Sequence, residues 1–395
     1  MSARPRIGNA RRRARLMRRH RLAQSDHAAT VTQLADALVG YHATTPSTVY
    51  LSAWARIPDF TPVAMDAALY RNRDLIKQLA MRRTLFVVTR DVLADAVGAV
   101  GPRVAASERT NMLRDLRRSP GFPDPDEWID RARAAVLDDV ADGEARSSTE
   151  LRRRLPALDG YVTHGVGTTW EARAPMGPRV LNMMSAAGEI VRGPNALGWH
   201  LARPSWVAMS AWLGHPLDAV TVDDGHRAMV RRWLRAFGPG TETDIVWWLG
   251  STKRTVRTAL AGLDVVEVDL DGGETGYVLA DDLPSDADDE VEPRALLLPE
   301  LDPTTMGWKQ RDFYLGAHGS HVFDRNGNGG QTAWWDGRIV GGWRQHRDDG
   351  RIEVHTFEEL PKVATREFAD RAEELAAWLG EVRPAPGYPA PFMRS

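Results

Sequence analysis

Apolar and polar positions along the chain repeat one order three times: helices at 3.6-residue spacing, then two short runs that alternate with period two. The third copy is the clearest. In residues 223–237 the apolar positions Met229, Val230, Trp233, Leu234 and Phe237 recur at helical spacing and stop at Gly238-Pro239. Thr241 with Asp244 three residues on forms a capping-box start for a short helix over 245–249, which Gly250 ends. Ser251 or Thr252 caps a third helix through Leu260, carrying Lys253, Arg254 and Arg257 where a recognition helix lies. Alternation at Val266, Val268 and Leu270, the turn Asp271-Gly272-Gly273 and a return strand over 277–280 complete a hairpin. Three helices followed by a hairpin is the winged-helix plan.

The first copy places helices over 31–43, 47–56 and 61–71 and strands over 75–80 and 84–89. In the second copy Trp128, Ile129, Ala132, Val136 and Val140 define an amphipathic helix ending at Gly143. Ser147 or Ser148 caps a helix over 149–155, and another fits 178–187. A hairpin is predicted from 189–192 and 199–202 across Gly193-Pro194-Asn195, while 162–173 shows no clear period. Beyond an acidic stretch the chain turns β-rich, with strands over 295–299, 321–324, 332–335, 338–343 and 352–357, hairpin signals at 325–330 and at Asp336-Gly337, and a last helix over 362–379. The predicted fold is α+β: three tandem winged-helix units followed by a C-terminal β-barrel-like domain with a terminal helix. The expected boundaries are a basic N-terminal arm at 1–22, winged helix 1 at 23–105, a linker helix and winged helix 2 at 106–222, winged helix 3 at 223–285 and the C-terminal domain at 286–395.

Length and composition narrow the chemistry. At 395 residues, several domains are expected. No run approaches the roughly 18 apolar residues of a membrane span, and nine arginines precede the first acid, unlike a signal peptide, so a cytoplasmic protein is expected. The chain has no cysteine, which removes disulfides, thiolate nucleophiles and cysteine-ligated metal. Net charge is only −2, yet the basic start contrasts with an acidic stretch at 281–292, and such segregation suits an anionic partner. The basic start reads equally as a phosphate-contacting arm and as a helix start or tail in solvent.

Candidate chemistry is sparse. His42 and Thr44, just before Pro46, could act as a base and as a positioner of water; alternatively Thr45 or Ser47 caps the next helix and His42 is a polar group at a helix C-terminus. The loop 163–171 also gathers His164, hydroxyls and Glu171, or is a Gly-rich connection. Without His-x-x-x-His, a phosphate loop or a dinucleotide fingerprint, neither metal nor cofactor is expected. The pairs Trp247-Trp248 and Trp334-Trp335 read as core.

Several phrases carry a resemblance: Tyr50-Leu51-Ser52-Ala53-Trp54-Ala55-Arg56, Ala80-Met81-Arg82-Arg83-Thr84-Leu85-Phe86, Met306-Gly307-Trp308-Lys309-Gln310-Arg311-Asp312 and Trp335-Asp336-Gly337-Arg338-Ile339-Val340-Gly341-Gly342-Trp343. Together they resemble the winged-helix DNA glycosylases related to AlkZ and YcaQ over nearly the whole chain. The resemblance implies excision of alkylated bases from duplex DNA without a cofactor, by a monomer. The family signature is two glutamines flanking one apolar residue, and here the matching positions hold His42, Ala43 and Thr44. An amide holds water through donor and acceptor, whereas Thr has only a hydroxyl and His can be charged. His42 and Thr44 are therefore the expected catalytic pair, with Arg82, Arg83, Lys253, Arg254 and Arg257 contacting double-stranded DNA. The family's groove-facing hairpin corresponds to 269–277, whose Asp269, Asp271 and Glu274 suit phosphate poorly. The alternatives are a non-catalytic winged-helix DNA-binding protein acting in damage recognition or regulation, and a small-molecule hydrolase or drug-sequestering protein.

Overall fold

The computed structural model describes residues 4–165, 167–169, 171–283 and 291–394. The third helical stretch forms as its caps dictate: helices Val222–Phe237, Glu242–Leu249 and Lys253–Ala261, then strands Val265–Leu270 and Thr275–Leu279. Thr241 and Asp244 make the reciprocal capping box, and Gly250 ends the second helix in the left-handed region. An unforeseen strand, Arg6–Ile7, pairs in parallel with the first strand of this hairpin, placing Ile7 beside Leu270. Two of the hairpin's acids are thereby neutralised: Asp271 accepts from the Arg6 guanidinium at 3.0 Å and from the Asn9 N–H at 2.7 Å, and Glu267 pairs with Arg4. The helix Asn9–Arg19 that follows is anchored rather than free, with Arg13 donating to the Phe313 carbonyl and Arg19 to those of Arg235 and Gly238.

In the first stretch, helices Val31–Ala37, Pro46–Trp54 and Pro62–Asp66, the last continued by the wider turn Ala67–Arg71, precede strands Leu75–Leu79 and Leu85–Thr89. The helix predicted over 31–43 stops early. Val39 and Gly40 both take positive φ, 57° and 132°, and turn the chain into a third strand, Tyr41–His42. Gly40 passes so close to the sheet that a Cβ there would lie 2.9 Å from the Val87 carbonyl oxygen. Apolar Tyr41 and Ala43 thus serve a buried strand rather than a helix face.

The linker helix is longer than expected, Arg90–Leu116, and starts directly from the first hairpin. Its first half packs Val92, Leu93, Ala96, Ala99 and Val100 into the large shared core, and its end gives Met112 and Leu116 to the core of the second stretch. Helix Val222–Phe237 lies against it so closely that a Cβ on Gly225 would come 2.5 Å from the Ala99 nitrogen. The second stretch has helices Pro125–Asp139, Ser148–Arg154 and Gly177–Ala186, the middle one with a complete Ser147–Glu150 capping box. Its hairpin departs from the prediction: strand Ile190–Asn195 runs through Gly193-Pro194 with a register shift and returns as Pro204–Ala208, leaving 199–202 in the connection. A further small hairpin, Tyr161–His164 with Ala172–Pro175, occupies the aperiodic segment.

The C-terminal strands Leu296–Leu298, Thr332–Trp335, Arg338–Gln345 and Ile352–Thr356 form an antiparallel sheet in sequence order, with helix Lys362–Leu379 against it. This corrects the barrel-like expectation: among the described residues the sheet is open, because four strands do not suffice to close and the helix covers the apolar face instead. The strand predicted over 321–324 is also corrected, since Gly319–Val322 is a short helix and only Phe323 bridges to Gly329. The large core draws Phe86 from the first stretch, Phe237 and Trp248 from the third, and Trp308 and Trp334 from the C-terminal part. Among the described residues no helix is long and apolar enough to cross a membrane.

Candidate functional site

His42 stands opposite Phe86 across the first sheet, and Phe86 opposite Gln78. Directly paired residues share a face, so His42 looks toward the large core while Tyr41, Val87 and Lys77 look the other way. The imidazole is 2% exposed, its centroid 5.1 Å from that of Phe86, and its Nδ1 has no hydrogen-bond partner among the described residues. Burial first, and then the positive Arg82, hold its pKa down at about 3, against the opposing pull of Asp302. His42 is therefore neutral at physiological pH.

Thr44, two residues on, is half-buried, and its Oγ1 accepts from the Leu85 N–H at 3.4 Å. The capping alternative is not how this corner is built. Thr45 is the N-cap residue of Pro46–Trp54, yet its side chain makes no capping bond; its hydroxyl bonds to the buried carboxylate of Glu300, which also accepts from the Gly387 N–H at 2.9 Å. Nor does His42 end a helix.

Arg82 and Arg83 occupy the turn between the two long strands of this sheet, both with positive φ, 54° and 58°. Arg82 lies over Trp247, its Cζ 4.2 Å from the ring centroid, and Arg311 approaches the same indole at 5.0 Å and Phe323 at 4.1 Å. This turn is where the first sheet meets the helix Glu242–Leu249. Arg83 instead pairs with Glu108 at 3.2 Å, and Arg257 with Glu242 at 2.6 Å, both at the surface. Lys253 and Arg254 are exposed on their helix. The five predicted cations thus fall into three environments: one stacked, two paired and two open to solvent. His164 is exposed on its own hairpin, where the Gly167 N–H donates to Glu171 at 2.8 Å; Val166 and Trp170 of that segment lie outside the described residues.

Sequence reading missed the clamp behind this region. Arg56, wholly buried, donates through all five N–H groups: Nε to the His20 carbonyl at 2.8 Å, Nη1 to the Ser52 carbonyl and Asp302 at 2.9 Å each, and Nη2 to Asp302 at 2.7 Å and Thr304 Oγ1 at 2.8 Å. Asp302 also accepts from Ser52 Oγ and the Thr304 N–H. With Thr304 Oγ1 receiving that proton from Arg56, its own hydroxyl donates to His20 Nδ1 at 2.8 Å, and His20 Nε2–H points at the Ala236 carbonyl at 3.2 Å. The network thus holds His20 neutral, and burial followed by the Arg56 charge keeps its pKa at about 3. One cluster ties the N-terminal helix, the first stretch, the third stretch and the C-terminal part together. Its only trace in the quoted phrases is that Arg56 closes the one over 50–56.

His20 and His42 make stability acid-sensitive. In the unfolded chain a histidine protonates near pH 6.5, roughly; folded, both stay neutral down to about 3. Between those values the unfolded state binds more protons, so stability is complete above the unfolded pKa and falls as pH drops. The urea midpoint is expected to decrease between pH 7.5 and pH 5, before most carboxylates titrate; a constant midpoint over that range would refute neutral burial of both rings.

Residues 35–378 match the family described as DNA glycosylase AlkZ-like. The DNA glycosylase AlkZ of Streptomyces sahachiroi shares the fold, with a TM-score of 0.72 at 18% sequence identity, covering 96% of this chain and 98% of that one. No curated protein matches it in sequence. The chain belongs to the AlkZ-like DNA glycosylase family.

Proposed function

We propose that this protein is a monomeric, monofunctional DNA glycosylase that hydrolyses the N-glycosidic bond of an N7-alkylated purine in duplex DNA. Family membership over residues 35–378 carries this reading. The three helix-plus-hairpin stretches, 23–105, 106–222 and 223–285, act as tandem winged helices that hold the duplex. Lys253 and Arg254 are ready for phosphate, while Arg83 and Arg257 exchange weak surface carboxylate pairs for it, since such exposed pairs contribute little.

An N7-alkylated purine is a cationic leaving group, so departure of the neutral base needs no general acid. What remains is to place a water against the oxocarbenium-like sugar. His42, neutral and with a free ring nitrogen, accepts a hydrogen bond from that water while the Thr44 hydroxyl fixes its direction. As the C1′–O bond forms and the glycosidic bond breaks, the water's proton passes to the imidazole and on to solvent. A ring of such low basicity holds water more than it extracts protons, which is adequate for attack on an existing cation. Burial of His42 means that side chains move aside when the nucleotide enters.

Strand cleavage through a lysine Schiff base is not part of the proposal. Lys77, whose pKa burial lowers to about 8, is 5% exposed and lies on the opposite face of the sheet from His42, with its Nζ 3.0 Å from the Tyr70 hydroxyl. The test is incubation of a duplex carrying N7-methylguanine with the protein, followed by alkali. Breaks at the lesion are the expected result. Retention in a gel without breaks identifies a non-catalytic DNA-binding protein, the reading that the buried His42 would favour.

A further inference from the structure

Arginines withdrawn wholly or partly from solvent come in two kinds among the described residues; Arg82 is half-buried. Arg56 has every donor satisfied and a carboxylate in bidentate contact. Arg311 is 7% exposed, yet among the described residues neither it nor Arg82 has a carboxylate within salt-bridge distance or a hydrogen-bond acceptor for its guanidinium. Arg311 Nη1 and Arg82 Nε are fully buried and unpartnered. Both cations instead crowd onto one indole, that of Trp247.

Stacking on an aromatic ring offsets only part of the cost of withdrawing a guanidinium from water. Two like charges sharing one ring oppose each other besides: burial first, and then the Arg311 charge, weaken the hold of Arg82 on its proton. A structural role would be met by one arginine, or by adding a carboxylate as at Asp302. The turn adds strain, because Arg82 and Arg83 are consecutive non-glycine residues in the left-handed region. Two forked guanidiniums, unpaired among the described residues and drawn to one indole, one of them on a strained turn, lack one thing: an anion with several oxygens.

We propose that Arg82 and Arg311 form a receptor for a single DNA phosphodiester, the one flanking the nucleotide drawn toward His42 and Thr44, with Trp247 as the plate that holds both forks in position. The inference rests on the DNA-glycosylase reading and adds Arg311 and Trp247 to the binding machinery. Phosphate here is distinct from the contacts of Lys253 and Arg254, which lie exposed on another helix and follow the duplex generally. The Arg82–Arg311 receptor fixes register at one position, so its loss affects lesion-bearing DNA more than undamaged DNA.

The experiment measures binding by fluorescence anisotropy to a duplex with one tetrahydrofuran abasic analogue and to its undamaged counterpart. Arg311→Gln and Arg82→Gln are each expected to lose about tenfold to a hundredfold on the analogue, with the salt slope shallower by about one. Neither should lower the thermal midpoint of the free protein, since Arg311→Gln removes an uncompensated buried charge and Arg82→Gln a half-buried one without a carboxylate partner. Phosphates flanking the analogue are then replaced singly by neutral methylphosphonate. At one position the parent protein should lose what the variants have already lost, and the variants should be indifferent. If no position cancels the Arg311→Gln effect, or if the variants bind like the parent, the proposal is overturned. A fall in thermal midpoint with unchanged binding would assign both residues a structural role instead. Should Arg311→Gln fail to fold, Arg311→Lys, which keeps charge but loses the fork, takes its place. Excision of N7-methylguanine by the parent reports separately on the glycosylase reading: excision without a cancelling phosphonate rejects the receptor alone.

Discussion

Asp302→Ala is expected to destabilise the protein by about 3–5 kcal/mol, the usual cost of leaving one member of a buried ion pair alone. The carboxylate is fully buried and accepts four hydrogen bonds, two of them from Arg56. Its loss leaves a guanidinium in the interior with nothing to neutralise it, and strips a partner from Ser52 and from the Thr304 N–H. Arg56→Ala should cost a similar amount for the converse reason. The double variant Arg56→Met with Asp302→Leu should cost less than either single change, because no unpaired charge remains. Chemical denaturation of the three proteins reads this directly; a loss below about 1 kcal/mol for Asp302→Ala would mean that the pair behaves as a surface one.

His42→Ala is expected to slow single-turnover excision of N7-methylguanine by about a hundredfold or more, the lower end of what a positioned acid–base group contributes. Thr44→Ala should cost less, since in the proposed mechanism its hydroxyl directs the water without taking its proton. The two losses should not multiply if, as proposed, both groups act on one water molecule. Between pH 5 and 8 the parent rate should be nearly flat, because His42 stays neutral well below that window. His42→Gln supplies an amide where the family signature has one, and should retain more activity than alanine. Undiminished excision by His42→Ala would remove this residue from the mechanism.

What could be read in advance follows from how local each signal is. The third helical stretch and the last helix, Lys362–Leu379, have caps and periodicity that no distant contact overrides, and they formed where predicted. The helix over Arg90–Leu116 was hidden in its first half because Gly98, Gly101 and Pro102 weaken the local signal; packing against its neighbours supplies what propensity lacks. The early end of Val31–Ala37 depends on Val39 taking a conformation unusual for a β-branched residue, which no propensity anticipates. His42 and Thr44 are proposed from the family signature, but the neutrality of the ring was not legible, since it depends on burial among residues remote in sequence. Trp247 and Trp248 read alike as core; only Trp248 is buried, while Trp247 carries two cations.

The two-residue strand Arg6–Ile7 finds its partner at Asp269 and Leu270. A ribosome adding about 5–20 residues per second needs on the order of ten seconds or more to reach that partner. Throughout this interval the strand Arg6–Ile7 has no strand to pair with. A product truncated before the third hairpin is therefore expected to leave Arg4 and Arg6 without Glu267 and Asp271, and that segment more open to proteolysis.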